Sequence, residues 1–472
     1  MNYSKPEDFY CDLHIHPTLK AFLINAIINP WHRYDEASPE ERVGRTSKLT
    51  QADFSRLLNS NTRFVMCSIT MLERYVLGKL VTMPGVMARV MKMDVKRLRD
   101  ILNKRPFDLL QEELNYLKRN LQDPDSDRKA VIAHSYAHAQ EILKNPNQIA
   151  LILAIEGSHC LGFEYRDALF PGKNKDLPEI INEEMIEQKI QFMKENFVFS
   201  LTLNHFVYNH LATQPKAIEL VGLQKIAHNP IKSLHLVGEY RGLTYLGQFF
   251  VKRCLEENII LDVKHCDAVA RYQIYELAKQ HKKPIIASHV AVSGKRTNLR
   301  NHQLLQTKED SPQDRLQSQR FNPWDINIHD DDILAIHQLD GLIGIILDER
   351  VLAGEKLTQK IRKENGNWVE LFFNQIVHIY TTLVAFGISP QLALDNICIG
   401  SDFDGIIDPI DSIVTVEDYR KTNENNVGLD DSLLQLFHQR FSLFRETQLE
   451  PEQIVQKIMR DNFVRFMEKY FK

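Results

Sequence analysis

The sequence predicts an α/β protein built as a (β/α)8 barrel of the TIM type, with helical and loop insertions. Two observations lead to this prediction. Eight short runs rich in branched and aromatic residues, typical of buried parallel strands, alternate with longer stretches of helical period. Histidine or acidic residues follow six of these runs, as catalytic residues do at the carboxyl ends of barrel strands. A chain of 472 residues with 43% hydrophobic and 25% charged residues has the balance of an ordinary globular protein.

The predicted strands and the intervals between them define the organisation of the chain. Along the sequence the strands span residues 9–14, 62–69, 149–155, 197–203, 259–263, 284–287, 341–347 and 396–400. Residues 72–147 have a helical period and are predicted as a helical insertion. Residues 303–332 are mostly polar and without period, and we predict a long loop near the barrel mouth. No repeat or Pro/Gly linker divides the chain, so we predict one elaborated domain over residues 1–472.

Composition and charge exclude several classes of function. A net charge of -4, a pI near 6.5 and the absence of a Lys/Arg run argue against a nucleic-acid partner. No apolar run approaches the roughly 20 residues of a membrane helix and no signal peptide begins the chain, so we expect a cytoplasmic protein with no membrane partner. The six cysteines lack CxxC spacing and are predicted to be reduced core residues. A homodimer is compatible with the sequence but is not required by it.

The residues that follow the strand runs carry the predicted chemistry. His14 and His16 end the first run, and alternation along a strand points both imidazoles toward the barrel axis with Ile15 outward. Imidazole and carboxylate are ligands that suit zinc and its neighbours, and a shared carboxylate can bridge two ions about 3.5–4 Å apart. Each histidine alone is more often structural, but together they predict a metal site at one rim. The further rim residues are Glu156, His205, His265, His289, Asp402 and Asp404.

Two other polar clusters are predicted to be structural. His134 and His138 have helical spacing, but no HExxH glutamate lies between them and they precede the third strand run, so we assign them to a helix surface. The acidic run at residues 330–332 lacks the calcium-loop pattern and is predicted to begin a helix. No GxGxxG motif follows a strand run, which argues against a nucleotide cofactor.

These residues, in this order, resemble the renal (membrane) dipeptidase family, a branch of the amidohydrolase superfamily of binuclear metal-dependent (β/α)8 barrels. The resemblance spans almost the whole chain. It rests on short motifs whose combined order and spacing agree: DLHIHP at 12–17, AIEGSH at 154–159, SLTLNH at 200–205, GLTYLG at 242–247, LDVKH at 261–265, SHVA at 288–291, LRN at 299–301, IGSDFDG at 399–405 and DNFVRF at 461–466.

The resemblance implies a binuclear metal centre. His14 and His16 are implied to hold one metal ion, and Glu156 to bridge it to a second ion held by His265 and His289. The implied cofactors are two divalent ions, with zinc as the expected metal. The implied reaction is hydrolysis of the amide bond of dipeptides, or of similar small carboxylate-bearing substrates, by a metal-bound hydroxide.

The resemblance also implies roles for three residues that act on water and substrate. Asp402 handles the proton of the metal-bound water. His205 polarises the scissile carbonyl and steadies the oxyanion, and it therefore also contacts the substrate. Arg300 receives the terminal carboxylate of the substrate through its guanidinium fork.

The sequence departs from the family pattern at two places. The first family motif is HxD, whereas this chain has an imidazole at His16, which removes one negative charge from the centre. After the seventh strand run the family has an aromatic Asn-Phe-Tyr segment, whereas this chain has Leu-Asp-Glu-Arg at 347–350, and its acidic pair is expected to repel an anionic ligand. Two alternatives therefore stay open: an amidohydrolase acting on a cyclic or other non-peptide amide, and a catalytically inactive binding barrel.

Overall fold

The computed structural model describes residues 9–24, 29–34, 49–71, 103–164, 181–206, 209–215, 242–296, 315, 318–420 and 427–472. Within these ranges nine parallel strands form one sheet. They are β1 (Tyr10–Ile15), β2 (Thr62–Ile69), β3 (Lys129–Ile132), β4 (Gln148–Glu156), β5 (Val198–Thr202), β6 (Ile260–Asp262), β7 (Ile285–Val290), β8 (Leu342–Ile345) and β9 (Ile397–Ile399).

The helices of the described ranges alternate with these strands. They are α1 (Leu19–Leu23), α2 (Phe54–Asn59), α3 (Pro106–Arg119), α4 (Tyr136–Leu143), α5 (Glu183–Glu195), α6 (Tyr245–Glu256), α7 (Ala268–His281), α8 (Asp330–Gln338), α9 (Glu349–Leu352), α10 (Glu355–Glu364), α11 (Val369–Ala385), α12 (Leu429–Gln439), α13 (Pro451–Gln456) and α14 (Asn462–Tyr470). None of them combines the length and apolar character that crossing a membrane requires.

Eight of the strands form a (β/α)8 barrel, which confirms the predicted fold class. Their order is β1-β2-β4-β5-β6-β7-β8-β9. The barrel closes between β1 and the chain that follows β9, where Ile15 bridges Phe403 in parallel. The backbone N–H of His16 donates to the carbonyl of Phe403 (2.9 Å), and that of Asp402 donates to the carbonyl of His14 (2.9 Å). Each of the eight predicted runs overlaps one of these strands, and β1, β4 and β7 extend beyond their runs.

The ninth strand, β3, corrects the prediction of a purely helical insertion at residues 72–147. Residues 129–132 pair with 148–151 of β4, while β5 pairs with 153–156 on the same edge of β4. The strand lies between α3 and α4, and its four residues are too few for a period of two to be recognised beside long helical patterns. Both predicted insertions extend outside the described residues, so their bounds and the single-domain organisation stay predictions.

The predicted helix start at residues 330–332 is confirmed by α8. This helix begins at Asp330 and carries three aspartates in its first turn, where the helix dipole favours negative charge. The Asp332 carboxylate accepts a hydrogen bond from the backbone N–H of His329 (2.8 Å), which completes a capping box. The acidic run therefore has a local structural role.

The two faces of the strands pack against different partners. One face packs against the surrounding helices, and Ile15, Val65 and Leu153 lie in that cluster. Phe64, Ile152 and other residues of the opposite face cluster instead with Phe463 and Phe466 of α14. Because this second face lines the barrel axis, α14 fills the amino-terminal end of the barrel with apolar side chains. All six cysteines are buried and unbonded, as predicted.

Two glycines allow the strands to approach closely below the carboxyl end of the barrel. A Cβ atom on Gly344 or Gly400 would lie 1.9 Å or 1.8 Å from the carbonyl oxygen of Ser288. The β7–β8 register is irregular between Ala287 and Val290, next to this contact. The glycines of β8 and of the chain after β9 therefore make room for the backbone of Ser288 and His289.

Candidate active site

Seven of the predicted site residues meet at the carboxyl ends of the strands. None of the seven is more than 9% exposed. They are His14 and His16 at β1, Glu156 at β4, His205 after β5, His265 after β6, His289 in β7 and Asp402 after β9. Arg300, the predicted carboxylate-binding residue, lies outside the described residues.

The two histidines of the first motif lie on the same side of the strand, as predicted. The Nε2 atoms of His14 and His16 are 3.1 Å apart. The Oδ1 atom of Asp402 lies 3.3 Å from the Nε2 atom of His16 and 3.9 Å from that of His14. Two imidazoles and one carboxylate thus converge on one point.

The carboxylate of Glu156 lies between this pair and a second pair of histidines. Its Oε2 atom is 3.4 Å from the Nε2 atom of His16. Its Oε1 atom is 3.3 Å from the Nε2 atoms of both His265 and His289, which are themselves 3.3 Å apart. The same Oε1 atom lies 3.7 Å from His14 and 3.9 Å from His205. The carboxylate therefore lies between the histidines, with Oε2 next to His16 and Oε1 next to His265 and His289.

The donor set fits divalent metal ions. Three overlapping groups of side chains have ligand atoms that all lie within 4.8 Å of one another: His14 with Glu156 and His289, His14 with His16 and Asp402, and Glu156 with His205 and His265. Neutral imidazole nitrogens and carboxylate oxygens are the ligands that zinc takes in catalytic sites. All five imidazoles face the centre of the cluster through Nε2, as they would if they shared bound metal ions.

Hydrogen bonds from behind the site orient the rings. The Nδ1 atom of His16 lies 3.0 Å from the carbonyl oxygen of Ser68, which only accepts, so Nδ1 carries the hydrogen and the neutral ring keeps a lone pair on Nε2. The Ser288 hydroxyl donates to Asp262 (2.5 Å). Its oxygen lies 3.0 Å from Nδ1 of His14 and 2.8 Å from Nδ1 of His289. Such partners fix ring orientation and raise ligand basicity in metal sites.

Burial and mutual contact shift the pKa values of the site. Burial lowers the pKa of His265 to about 3 and that of His289 well below its usual value, so both rings are neutral. Although burial opposes it, hydrogen bonding to Asp402 and Glu156 raises the pKa of His16 to about 10. Burial raises the pKa of Asp402. A proton shared by His16 and Asp402 would have to leave when His16 binds a divalent ion.

The backbone is strained at two of the site residues. His265 and Asp402 both have a φ of 62°, in the left-handed region. Asp404 and Ile406 follow with φ values of 67° and 66°, and a β-branched residue such as Ile406 rarely adopts this conformation. Strained residues of this kind persist where the surroundings over-determine them, and they cluster at functional sites.

Asp404 shares its motif with Asp402 but takes no part in this cluster. Its carboxylate accepts hydrogen bonds from the backbone N–H groups of Gln51 (2.9 Å) and Ala52 (2.9 Å). The ammonium of Lys20 pairs with it at 2.8 Å. Asp404 therefore ties the chain after β9 to two other segments.

The acidic pair after β8 differs from the expectation. Asp348 pairs with the guanidinium of Arg350 (2.5 Å), and Glu349 pairs with that of Arg362 (2.8 Å). Each negative charge thus has a positive partner. The segment does not present the two free negative charges expected to repel an anionic ligand.

The sequence analysis missed Lys264, which lies beside the predicted ligand His265. Lys264 is 2% exposed, and its ammonium has no hydrogen-bond partner among the described residues. Burial lowers its pKa to about 8, against the attraction of Asp402 and Glu156. The sequence pattern that could have identified Lys264 is the alternation along β6. Residues 260, 262 and 264 then point toward the barrel axis. An unsatisfied buried ammonium in such a place indicates a ligand or water partner.

His159, the last residue of the AIEGSH motif at 154–159, was not predicted to be a site residue. Its Nε2 atom lies 2.6 Å from the carbonyl oxygen of Met71, and its ring stacks on that of His205 at 5.6 Å between centroids. His159 is 3% exposed. Its stacking contact makes it a support for His205 rather than a member of the cluster around Glu156.

No protein-family model and no curated protein sequence matches the chain. Solved structures match it over nearly its whole length. The dipeptidase AC, a metallopeptidase, superposes with a TM-score of 0.56 at 13% identity, over 98% of both chains. A metallopeptidase from Rhodobacter sphaeroides, solved with a phosphinate mimic of the dipeptide L-Ala-D-Ala, gives 0.55 at 13% identity, over 98% of this chain and 99% of the other.

A third similar structure is the probable dipeptidase PvdM from Pseudomonas aeruginosa, with a TM-score of 0.54 at 13% identity, over 98% of this chain and 95% of the other. The chain therefore has the fold of these proteins. This is the fold that the resemblance found in the sequence implies.

Proposed function

We propose that the protein is a binuclear metal-dependent hydrolase of the membrane dipeptidase family, which cleaves the amide bond of dipeptides or of similar small carboxylate-bearing substrates. One observation carries the proposal: the carboxylate of Glu156 lies between the histidines, with Oε2 3.4 Å from Nε2 of His16 and Oε1 3.3 Å from Nε2 of both His265 and His289. The fold likeness to metallopeptidases, one of them solved with a dipeptide mimic, supports it.

In this proposal each histidine pair holds one divalent ion. His14 and His16 would hold the first ion, His265 and His289 would hold the second, and Glu156 would contribute a carboxylate oxygen to each. Zinc is the proposed metal because it favours imidazole and carboxylate ligands. Bound there, two such ions acidify a shared water and polarise the scissile carbonyl.

Asp402 is the proposed general base. Its Oδ1 atom lies within 3.3–3.9 Å of the first histidine pair, so it reaches the region between the histidine pairs. Its raised pKa suits a group that takes a proton from water and returns it to the departing amine. This proton exchange requires a carboxylate that is not already held by other groups. Asp404 is held by two backbone N–H groups and Lys20, whereas Asp402 faces the histidines.

His205 is the proposed group that meets the developing negative charge of the carbonyl oxygen. Its Nε2 atom lies 3.9 Å from Glu156, at the side of the second histidine pair. A ring N–H held there by stacking on His159 can donate to the oxyanion without reorganising. Arg300 is proposed to bind the terminal carboxylate, on the strength of its motif alone.

His16 gives a specific reason to retain a second candidate function. With the imidazole of His16 in the first motif, Glu156 and Asp402 leave two divalent ions with a net charge of +2, where a third carboxylate would leave +1. The HxH motif is that of other amidohydrolases, so a cyclic or non-peptide amide is the alternative substrate.

A paired measurement tests the proposal. Metal content is determined on the purified protein, and hydrolysis is screened with dipeptides bearing L or D carboxyl-terminal residues beside a panel of cyclic amides, before and after chelation. We expect divalent metal in the protein and dipeptide hydrolysis that chelation abolishes and metal restores. Turnover of cyclic amides alone would establish the second candidate, and metal-independent turnover would contradict both.

A further inference from the structure

Three segments at the carboxyl end of the barrel meet at Arg350. Its carbonyl oxygen accepts hydrogen bonds from the Nε atom of Arg315 (2.9 Å) and the Nδ2 atom of Asn322 (2.8 Å). Its own Nη2 atom donates to the carbonyl of Ile406 (3.3 Å). Ile406 follows the turn in which the N–H of Gly405 donates to the carbonyl of Asp402 (3.0 Å). The side chain of Arg350 therefore touches the loop that presents the proposed base.

Asp348 holds the guanidinium of Arg350 in one orientation. The Nε atom lies 2.9 Å and 3.1 Å from the two carboxylate oxygens, and Nη2 lies 2.5 Å from Oδ2. The carboxylate of Asp348 is fully buried and also caps α9 by accepting from the backbone N–H of Arg350 (2.8 Å). A guanidinium fixed along one edge loses little conformational entropy when its other edge binds a ligand.

The Nη1 atom of Arg350 has no hydrogen-bond partner in the part of the chain that the structure describes. The side chains of Arg350 and Asp402 are both 12% exposed, so both keep a small opening. Although burial opposes it, the carboxylate of Asp348 and then the charges of Asp408 and Asp402 raise the pKa of Arg350. The geometric link between Arg350 and Asp402 is the hydrogen bond to the carbonyl of Ile406, four residues along the same loop.

We propose that Arg350 binds a second anionic group of the substrate, in addition to the terminal carboxylate assigned to Arg300. The preferred substrates are then acidic dipeptides, in which one residue carries a side-chain carboxylate. This inference rests on the proposed function and names its substrate class. The two N–H groups of Nη1 can donate to a carboxylate oxygen, and such charge-assisted hydrogen bonds are stronger than neutral ones.

The proposal also gives a physical reason for the unusual segment after β8. Asp348 fixes the guanidinium instead of repelling the ligand, and Arg362 pairs with the remaining acidic residue, Glu349, at 2.8 Å. The segment thus carries two ion pairs, and the guanidinium of Arg350 donates to the carbonyl of Ile406 in the loop after Asp402. Arg362, with its side chain 52% exposed, provides a matched control arginine.

The test compares matched acidic and neutral substrates. Hydrolysis of Ala-Glu is compared with Ala-Gln, and of Glu-Ala with Gln-Ala, in the wild type, Arg350→Gln and Arg362→Gln. We expect kcat/KM of the wild type to favour the glutamate substrate of at least one pair by about 10- to 100-fold, as for a hydrogen bond to a charged group. Arg350→Gln should lose this preference, whereas Arg362→Gln should keep it.

Equilibrium binding of the same dipeptides to chelator-treated protein separates this inference from the proposed function, because it needs no turnover. We expect the same glutamate preference in binding and the same loss in Arg350→Gln. If Arg350→Gln fails to fold, Arg350→Lys is used instead, because it keeps a positive charge next to Asp348 but lacks the Nη1 group. It should reduce the preference for glutamate substrates by about tenfold. Equal affinity for the acidic and neutral dipeptides in the wild type, or a preference that survives in the folded Arg350 variants, would overturn the inference even if the protein is a dipeptidase.

Discussion

The polar groups at the two ends of the barrel have different surroundings. At the amino end, α14 packs Phe463 and Phe466 under the strands, and the amide nitrogen of Asn462 donates to the carbonyls of Leu394 and Ile397 (2.7 Å each). At the carboxyl end, imidazole nitrogens and carboxylate oxygens face one another, and a buried ammonium has no partner in the described chain. The amino end is closed by apolar side chains, whereas the carboxyl end gathers side chains of the types that bind metal ions.

The same contrast recurs within a single motif after β9. Asp402 faces the histidines, whereas Asp404, two residues later, is held by two backbone N–H groups and by Lys20. The two residues have the same chemistry and both have positive φ. Their partners, and not their type, therefore separate a proposed catalytic role from a structural one.

The largest expected effect is that of Asp402→Asn on turnover. An amide cannot accept the proton of water, so kcat should fall by about 10²–10⁴-fold, the usual contribution of a general base. Metal content and unfolding temperature should change little because the side chain keeps its shape. Steady-state kinetics at saturating metal checks this, and near-normal kcat would show that Asp402 is not the base.

At the opposite end, Phe463→Ala should destabilise the protein and leave catalysis intact. Removing a buried phenyl ring from the packing under the barrel should lower the free energy of unfolding by about 3–5 kcal/mol. Leu443→Ala, at a position 48% exposed, is the control and should change it by less than about 0.5 kcal/mol. Denaturant unfolding measures both. A large loss of kcat in folded Phe463→Ala protein would mean that the two ends are coupled.

Asp404→Asn should have the opposite signature to Asp402→Asn. Lys20 is 7% exposed and would lose its charged partner, so the free energy of unfolding should fall by about 1–3 kcal/mol. The kcat of the folded variant should stay within about tenfold of the wild type. Unfolding and kinetic measurements on both variants test whether Asp402 is catalytic and Asp404 structural. Identical changes in kcat and in the free energy of unfolding would contradict this difference.

The smallest expected effect is that of Arg300→Lys. A lysine is a point charge and cannot reproduce the guanidinium fork, so kcat/KM should fall by about tenfold for substrates with a free carboxyl end. Substrates with a blocked carboxyl end should barely respond. Equal losses on free and blocked substrates, or no loss on either, would exclude Arg300 as the anchor.

The sequence predicted the barrel and the cluster because both follow from short-range rules. Apolar runs become strands, strand ends share one rim, and alternation turns His14 and His16 to the same side. It missed β3, whose four residues carry too little pattern. It also missed the ion pair of Asp348 with Arg350, which depends on the turn that begins α9, and the burial of Lys264, which depends on how separate strands pack. The roles of the site residues came from the resemblance to the membrane dipeptidase family, because residue types alone do not determine them.

The central claim, that Glu156 bridges two divalent ions, is tested most directly by anomalous diffraction from crystals of zinc-loaded protein. We expect two zinc ions about 3.5–4 Å apart, one on each side of Glu156. His14 and His16 should bind the first ion and His265 and His289 the second, with zinc–nitrogen distances of about 2.0–2.1 Å. A single ion, or two ions that both lie more than about 6 Å from His265 and His289, would contradict it, since no zinc–nitrogen bond spans that distance.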